Sequence, residues 1–470
     1  MYKYLPKKTL LLMSSLVLTA CVSVGPDYNA STTPESDVII AQQIKFDSRA
    51  SLWWEQFNEP TLNRLIELAL QYNQTLEAAR ANVTAAYALF DDAETAGWPE
   101  GGPNLGYNAQ KQATPGVNEQ RVDIRSYRAG AQLTWSLDLF GKLRRAAEAA
   151  LADAQAQQFA WYDLQVSLSA QIAQTYVQLK GSKARILVAE NNIDRLQKMR
   201  SIINARVDAG FASELDLHRI DAELYGVKAS IPGLESTAER ARYALVALVG
   251  GKAVLTDIDW GKLDDNLPGL DSPLAIGDPR DLLRRRADLH AAERELAAAT
   301  ATIGINVADL YPDLSVTGFL GFLAGDFSSL GDSGAKAWSV APSLSWSVFN
   351  LNSIQAQIDV ANARQKGALA NFKQKTLEAV SQAQSALSDY AKMQQQRHLL
   401  SAQTQASRDA LRLAQARYDA GAIDFFDVLD VERALLAAED SLVQSKIRTF
   451  TAIIAVYQAF GGGFEPEEVI

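Results

Sequence analysis

Two stretches of the chain alternate between apolar and polar residues with a period of two. In residues 127–137, Tyr127, Ala129, Ala131, Leu133, Trp135 and Leu137 alternate with Arg128, Gly130, Gln132, Thr134 and Ser136. In residues 338–348, Trp338, Val340, Pro342, Leu344, Trp346 and Val348 alternate with Ser339, Ala341, Ser343, Ser345 and Ser347. Successive strand side chains point to opposite faces, so each stretch predicts a strand with one greasy, aromatic-bearing face. Pro342 lacks an N–H and predicts a local irregularity or bulge. Upstream partners are residues 104–110, with Leu105, Tyr107 and Ala109 on one face, and residues 313–323, whose alternation is poorer. The connecting residues 111–125 and 324–336 are polar or glycine-rich and predict solvent-facing loops.

Around these strand pairs the pattern is helical. Residues 61–96 contain neither Gly nor Pro, and residues 280–310 contain only Gly304. Residues 142–209 contain only Gly181 and residues 353–420 only Gly367, so each predicts a helix about 100 Å long. Gly210 and Gly421 are good left-handed stops, after which residues 211–249 and 422–460 predict a last helix in each set. Pro232-Gly233 should kink or break the first of these. The two sets are copies of one another. Ala205-Arg206-Val207-Asp208-Ala209-Gly210 recurs as Ala416-Arg417-Tyr418-Asp419-Ala420-Gly421, and at the same shift of 211 residues Trp135 meets Trp346 and Asp216 meets Asp427. The organisation expected is repeat 1 over 61–249, a linker over 250–279 broken by Pro268, Gly269, Pro273, Gly277 and Pro279, repeat 2 over 280–460, and a tail over 461–470.

A first and a last helix laid end to end match the length of one long helix, so each repeat reads as a rod. Taken alone, that describes a coiled-coil stalk as well as the wall of a tube. The strands decide between them. About ten residues with aromatics on the apolar face suit a tilted strand of an outer-membrane barrel, the alternative being a core sheet packed on helices. Four strands cannot close a barrel, and an open edge in lipid leaves backbone groups unpaired, so such a sheet must close with other subunits. Three copies would supply twelve strands, although two or four satisfy the same arithmetic.

Composition narrows the chemistry. The chain of 470 residues is 48% hydrophobic and carries a net charge of -10 without a run of Lys or Arg, which excludes a general nucleic-acid binder. Three scattered histidines (His218, His290, His398) and one cysteine leave no metal site and no internal disulfide, so neither a cofactor nor a metal is expected. No nucleophile–base arrangement is present, and no catalytic residue is assigned. Met1 to Cys21 reads as a secretory signal: Lys3, Lys7 and Lys8, an apolar run from Leu10 to Leu18, then Leu18-Thr19-Ala20-Cys21. Residues 1–20 would be removed, leaving residues 21–60 as an N-terminal segment headed by Cys21. The cleavage site resembles a bacterial lipobox, whose cysteine is lipidated, the alternative being an ordinary signal peptide with a chance cysteine; in lipobox signals Val22 after the cysteine implies delivery to the outer membrane.

Together these features resemble the TolC-like outer-membrane factors, in particular the OprM/NodT lipoprotein branch. The resemblance covers essentially the whole mature chain. It is carried by Cys21 with Gly25-Pro26-Asp27-Tyr28, Trp53-Trp54 with Phe57, Asp138-Leu139-Phe140-Gly141, Ala212-Ser213-Glu214-Leu215-Asp216-Leu217, Arg285-Arg286-Ala287-Asp288-Leu289 and Gly461-Gly462-Gly463. Ala287 departs from the usual Pro, and Asn350-Leu351-Asn352-Ser353 from the usual Gly-Arg turn. The resemblance implies an α+β membrane protein: a homotrimer whose twelve-stranded barrel crosses the outer membrane in contact with its lipid and continues as a periplasmic helical barrel. An equatorial belt would come from residues 21–60, 250–279 and the tail. It further implies the exit duct of a tripartite efflux system, working with a periplasmic adaptor and an inner-membrane pump to pass drugs or other toxic small molecules. A duct for type I protein secretion is the alternative within the fold, and a periplasmic adaptor lipoprotein is the alternative outside it.

Site residues follow from the same resemblance. Tyr127, Leu133, Trp135, Trp338, Leu344 and Trp346 would face lipid. Gly210, Phe211, Ala212, Gly421, Ala422 and Ile423 resemble tips that meet the adaptor, though capping alone would also explain the glycines. Asp424, Asp427 and Asp430, three residues apart, lie along roughly one helix face. On residues alone they read more plainly as a solvated acidic helix start. Asp427-Val428-Leu429-Asp430, however, resembles the TolC segment whose aspartates ring the periplasmic entrance, where threefold repetition would make a cation-attracting gate. Phe425 and Phe426 could add an apolar constriction or pack between helices.

Overall fold

The computed structural model describes residues 23–29, 50–114, 118–252 and 285–462, with Leu255, Ile258, Trp260 and Leu267 between the last two stretches. The signal segment, Cys21, most of the 250–279 linker and all but the first two tail residues lie outside the described residues. In chain order the elements are α1 (Pro60–Tyr72), α2 (Gln74–Thr95), β1 (Glu100–Thr114), β2 (Asn118–Leu137), α3 (Lys142–Asp208), α4 (Glu214–Leu248), α5 (Ala287–Ala308), β3 (Asp313–Ala324), β4 (Lys336–Ser345), α6 (Leu351–Asp419) and α7 (Phe425–Ala459). The chain divides into two compact units.

One unit comprises Ala81–Gln158 and His290–Gln374 with the N-terminal stretch 23–29, and it holds the sheet. The two hairpins join edge to edge in the order β1-β2-β3-β4, all antiparallel. Their register puts Leu105, Ala129 and Phe322 on one face with Tyr107, Tyr127, Leu133, Leu320, Trp338 and Leu344. The other face carries Asn104, Gly130, Gln132, Thr317 and Ser339. Both β1 and β4 end the sheet with an unpaired edge. Three expectations need correcting. The 111–125 segment is mostly strand, because β1 continues to Thr114 and β2 starts at Asn118; a polar hairpin that projects into water needs backbone pairing but no apolar face. Pro342 pairs with Val316 in unbroken register, without a bulge, on a strand at the sheet edge where a missing donor is tolerated. Trp346 and Val348 lie beyond β4, which ends at Ser345.

The N-terminal stretch is strapped onto this unit. Val24 N donates to Phe140 O at 3.1 Å, Arg145 Nε donates to Val24 O at 3.2 Å, and Arg145 pairs with Asp27 at 2.5 Å. Gly25, at φ +90°, lies so close to Gly304 that a Cβ there would stand 2.4 Å from the Gly304 Cα.

The other unit comprises Thr33–Arg80, Phe159–Leu289 and Lys375–Ile470. Its main core gathers Trp53, Trp54, Phe57, Leu65, Tyr176, Phe450 and Tyr457, with Trp53 stacked on Tyr457 at 5.2 Å. Within it Lys180, almost wholly buried, is neutralised by Glu59 at 2.8 Å, whose other oxygen accepts from Tyr176. A buried cation without that carboxylate would be costly. The helix expected over 61–96 is two helices, broken at Asn73. Asn73 Oδ1 accepts from the backbone N–H of Thr75 and Leu76, capping α2, while its Nδ2 donates to Leu248 O at the end of α4. Conversely α4 is one helix through Pro232-Gly233, with no break there.

Candidate functional site

The turn after α3 and the turn after α6 are built alike. Gly210 has φ +76° and Gly421 φ +72°. Phe211 N donates to Arg206 O at 2.7 Å, and Ala422 N donates to Arg417 O at 2.8 Å, closing each long helix with the same six-residue link. A Cβ at either glycine would meet nothing within 4 Å, so backbone conformation alone selects glycine. The turns present Phe211, 84% exposed, beside half-buried Ala212, and exposed Ala422 beside half-buried Ile423.

Past the turns the repeats diverge. In the first, Ser213 caps α4: its Oγ donates to Asp216 Oδ2 at 2.8 Å and accepts from Asp216 N at 3.3 Å, and Asp216 Oδ2 accepts from Ser213 N. This reciprocal capping box satisfies two otherwise orphan donors. In the second, Asp424 occupies the cap of α7 but its side chain makes no capping bond. Asp424, Asp427 and Asp430 are all exposed, and among the described residues none of their carboxylates has a hydrogen bond or ion pair. The residues between them, Phe425, Val428 and Leu429, are buried against the neighbouring helices. Three carboxylates thus share the free face of one helix start. Phe425 packs in the core near Tyr418; Phe426 remains half exposed, with the Arg219 guanidinium 5.3 Å from its ring centre.

Beneath this face lies an ion network that sequence reasoning missed. Glu432 is 1% exposed; its Oε1 accepts from Asn192 Nδ2 at 2.8 Å and Arg195 Nε at 2.7 Å, while its Oε2 has no partner. Arg195 also reaches Glu439, which pairs with Arg408, and Arg185 holds both oxygens of Asp440 through Nε and Nη2. The network ties α3, α6 and α7. Burial opposes the charge on Arg195, but Glu432 and Glu439 outweigh it and hold the guanidinium above its ordinary range. The partners are 237 and 244 residues apart in sequence, and no periodicity or motif in one sequence links such positions.

In the sheet-bearing unit, Leu133, Trp135, Trp338 and Leu344 are exposed on the apolar face, where the rings of Tyr127 and Tyr107 meet at a tilt with 4.8 Å between their centres. Trp346, off the strand end, is exposed as well. Trp135 Nε1 donates to Gly97 O and Trp346 Nε1 to Leu310 O, each at 3.0 Å, so both indoles are pinned at the end of the preceding helix. Apolar ring outward and N–H bonded is the arrangement of an interfacial anchor. Among the described residues no helix is long and apolar enough to cross a membrane, and no His, Cys, Asp and Glu side chains converge on a point that could hold a metal ion.

Comparison with known proteins agrees with this architecture. The profile of the family described as Outer membrane efflux protein matches residues 65–251 and 279–462. The pyoverdine export outer membrane protein OpmQ of Pseudomonas putida is 28% identical, with 98% of this chain and 99% of that protein covered. The toluene efflux pump outer membrane protein TtgI of Pseudomonas putida is 28% identical over 87% of each chain. Among solved structures, the outer-membrane channel OprN is similar with a TM-score of 0.87 and 40% identity, covering 94% of this chain and 99% of that one.

Proposed function

Because the chain belongs to the outer membrane efflux protein family, and is an outer-membrane efflux channel rather than an enzyme, we propose that Asp424, Asp427 and Asp430 form its periplasmic gate. Channels of this family form trimers and work with a periplasmic adaptor and an inner-membrane pump, crossing the outer membrane and extending into the periplasm. One observation carries the gate. At equivalent places the first repeat uses its carboxylate to cap a helix, whereas the second leaves three carboxylates on the free face with no structural task. Repeated about a threefold axis, that face makes a ring of like charge in a narrow passage, which attracts cations and resists anions.

The remaining assignments rest on the same membership. The Gly210-Phe211-Ala212 and Gly421-Ala422-Ile423 turns meet the adaptor, Phe211 supplying an apolar contact. Residues 1–20 are a removed signal and Cys21 bears the lipid. Support comes from the strap at Val24 and Asp27, which fixes the chain three residues after Cys21 beside Phe140, where the sheet gives way to α3. Residues 21–60, 250–279 and 461–470 form an equatorial belt, for which the Trp53 cluster provides the packing surface. The cargo is small toxic molecules, in keeping with the names of the relatives, rather than a secreted protein. The experiment is to measure the mass of the detergent-purified chain and the reversal potential of its bilayer current in a salt gradient. A trimer passing cations supports the reading. A trimer passing anions preferentially overturns the acidic gate, and a soluble monomer without detergent overturns the duct itself.

A further inference from the structure

The register of the sheet shows where its apolar face stops. Along β2, away from α3, the outward residues run Trp135, Leu133, Ala131, Ala129 and Tyr127, and then Arg125, Asp123 and Arg121. From Trp135 to Tyr127 is about 26 Å of strand, or about 20 Å of height at the usual tilt, close to a barrel's apolar band. The other strands end the band in the same way. On β1 the order is Leu105, Tyr107, Ala109, Lys111; on β4 it is Leu344, Pro342, Val340, Trp338, Lys336. Lys336 shares that face because it pairs with Phe322, which pairs with Ala129. On β2 and β4, therefore, an aromatic ring closes the apolar run and a cation follows it, and on β1 Lys111 follows Ala109 one step beyond Tyr107.

Cations at the opposite end of the strands are already used: Lys142 pairs with Asp309 at 2.6 Å and Arg144 with Asp138 at 3.1 Å. Among the described residues neither Arg125 nor Lys336 has an ion pair, although Asp326 and Asp332 lie in the loop before Lys336. Lys111 has only an exposed contact with Asp123 at 3.8 Å, the kind of pair that contributes little. Long basic side chains at the edge of an apolar band lay their stems along it and hold the charge at headgroup level. The helices lead into the periplasm, so the hairpin end of the sheet faces the exterior and these charges stand at the outer leaflet.

We propose that Lys111, Arg125 and Lys336, each just beyond the last apolar residue of the outward face of its own strand, form a basic rim that binds the phosphate groups of a phosphorylated glycolipid in the outer leaflet. Charge complementarity carries the choice: the cations are three per protomer, unneutralised or weakly paired, and confined to the leaflet whose glycolipid carries clustered phosphates.

The test uses the full-length trimer in nanodiscs and compares retention of a bis-phosphorylated glycolipid, its dephosphorylated form and phosphatidylglycerol. The wild type should retain the bis-phosphorylated lipid best. A Lys111→Ser/Arg125→Ser/Lys336→Ser variant should lose about fivefold in affinity for each charge removed. Exchanging the cations (Lys111→Arg, Arg125→Lys, Lys336→Arg) should preserve binding, as should Lys142→Gln at the other end. Channel conductance of each variant reports that the barrel still assembles. If the triple Ser variant does not assemble, Arg125→Ser and Lys336→Ser singly take its place. A conducting variant that retains the glycolipid as the wild type does, or phosphatidylglycerol held as tightly as the glycolipid, would overturn the proposal.

Discussion

Asp216 and Asp427 occupy the same position in the two repeats, and only Asp216 is bound into the fold. Its carboxylate closes the capping box with Ser213, while that of Asp427, one turn into α7, has no partner among the described residues. A duplicated residue that has lost its structural task in one copy can be kept for another purpose. Asp216→Ala should therefore cost about 1 kcal/mol of local stability at the start of α4. Asp427→Ala should leave the start of α7 as protected as before. Hydrogen exchange across residues 213–220 and 424–431 reads both, and equal losses in the two variants would show that Asp427 is also a cap.

The buried Glu432 ties α7 to α3 through one oxygen. Glu432→Ala strips Arg195 of its closer partner and leaves Asn192 Nδ2 unsatisfied, a change expected to cost about 3–5 kcal/mol, as breaking a buried pair does. Glu432→Gln keeps an acceptor at that place and should cost less. Thermal unfolding of the trimer and exchange within residues 185–200 measure the order of the two. A Gln variant as damaged as the Ala variant would mean that charge, and not the hydrogen bonds, holds the helices.

The N-terminal strap should be acid-sensitive. His290 lowers the Glu293 carboxyl by hydrogen bonding, against burial that raises it, and with the bond from Tyr28 its pKa falls from the ordinary 4.5 to about 2. A depressed folded-state pKa stabilises fully above the unfolded value and fades as pH falls through the folded one. The Tyr28 contact should thus hold above about pH 4.5 and weaken progressively toward pH 2. In Glu293→Gln the Tyr28 contact should be looser at neutral pH and should change less over that window than in the wild type, while the Arg145–Asp27 pair stays in place. Exchange at residues 24–29, followed from pH 6 to 2, checks this; a wild-type strap unchanged at pH 2 would refute it.

Much of this was readable in the chain. The period-two alternation gave the apolar face of β2 and β4, and the 211-residue repeat placed both glycine turns at the ends of the long helices. The misses have physical reasons. Asn73 interrupts a stretch without Gly or Pro because its side chain can cap α2 and hold the end of α4 at once. Its setting, Asn followed by Gln-Thr-Leu-Glu77, is itself a helix-start signal. Pro232 does not end α4, since a single missing donor is outweighed by packing on both sides. The polar 111–125 segment looked like a loop because backbone pairing without an apolar face leaves no hydrophobic signature. At the tip, the spacing of Asp424, Asp427 and Asp430 was legible, but their lack of partners was not: Asp216 and Asp427 look identical until the neighbouring side chains are in place.

The gate itself is tested most directly by conductance in a planar bilayer. The wild type should pass a small, cation-selective current; Asp427→Ala/Asp430→Ala should raise the conductance and reduce the selectivity, whereas Asp216→Ala should do neither. A double variant with the wild-type trace, or an equal rise from Asp216→Ala, would contradict the assignment of the free carboxylates to the entrance.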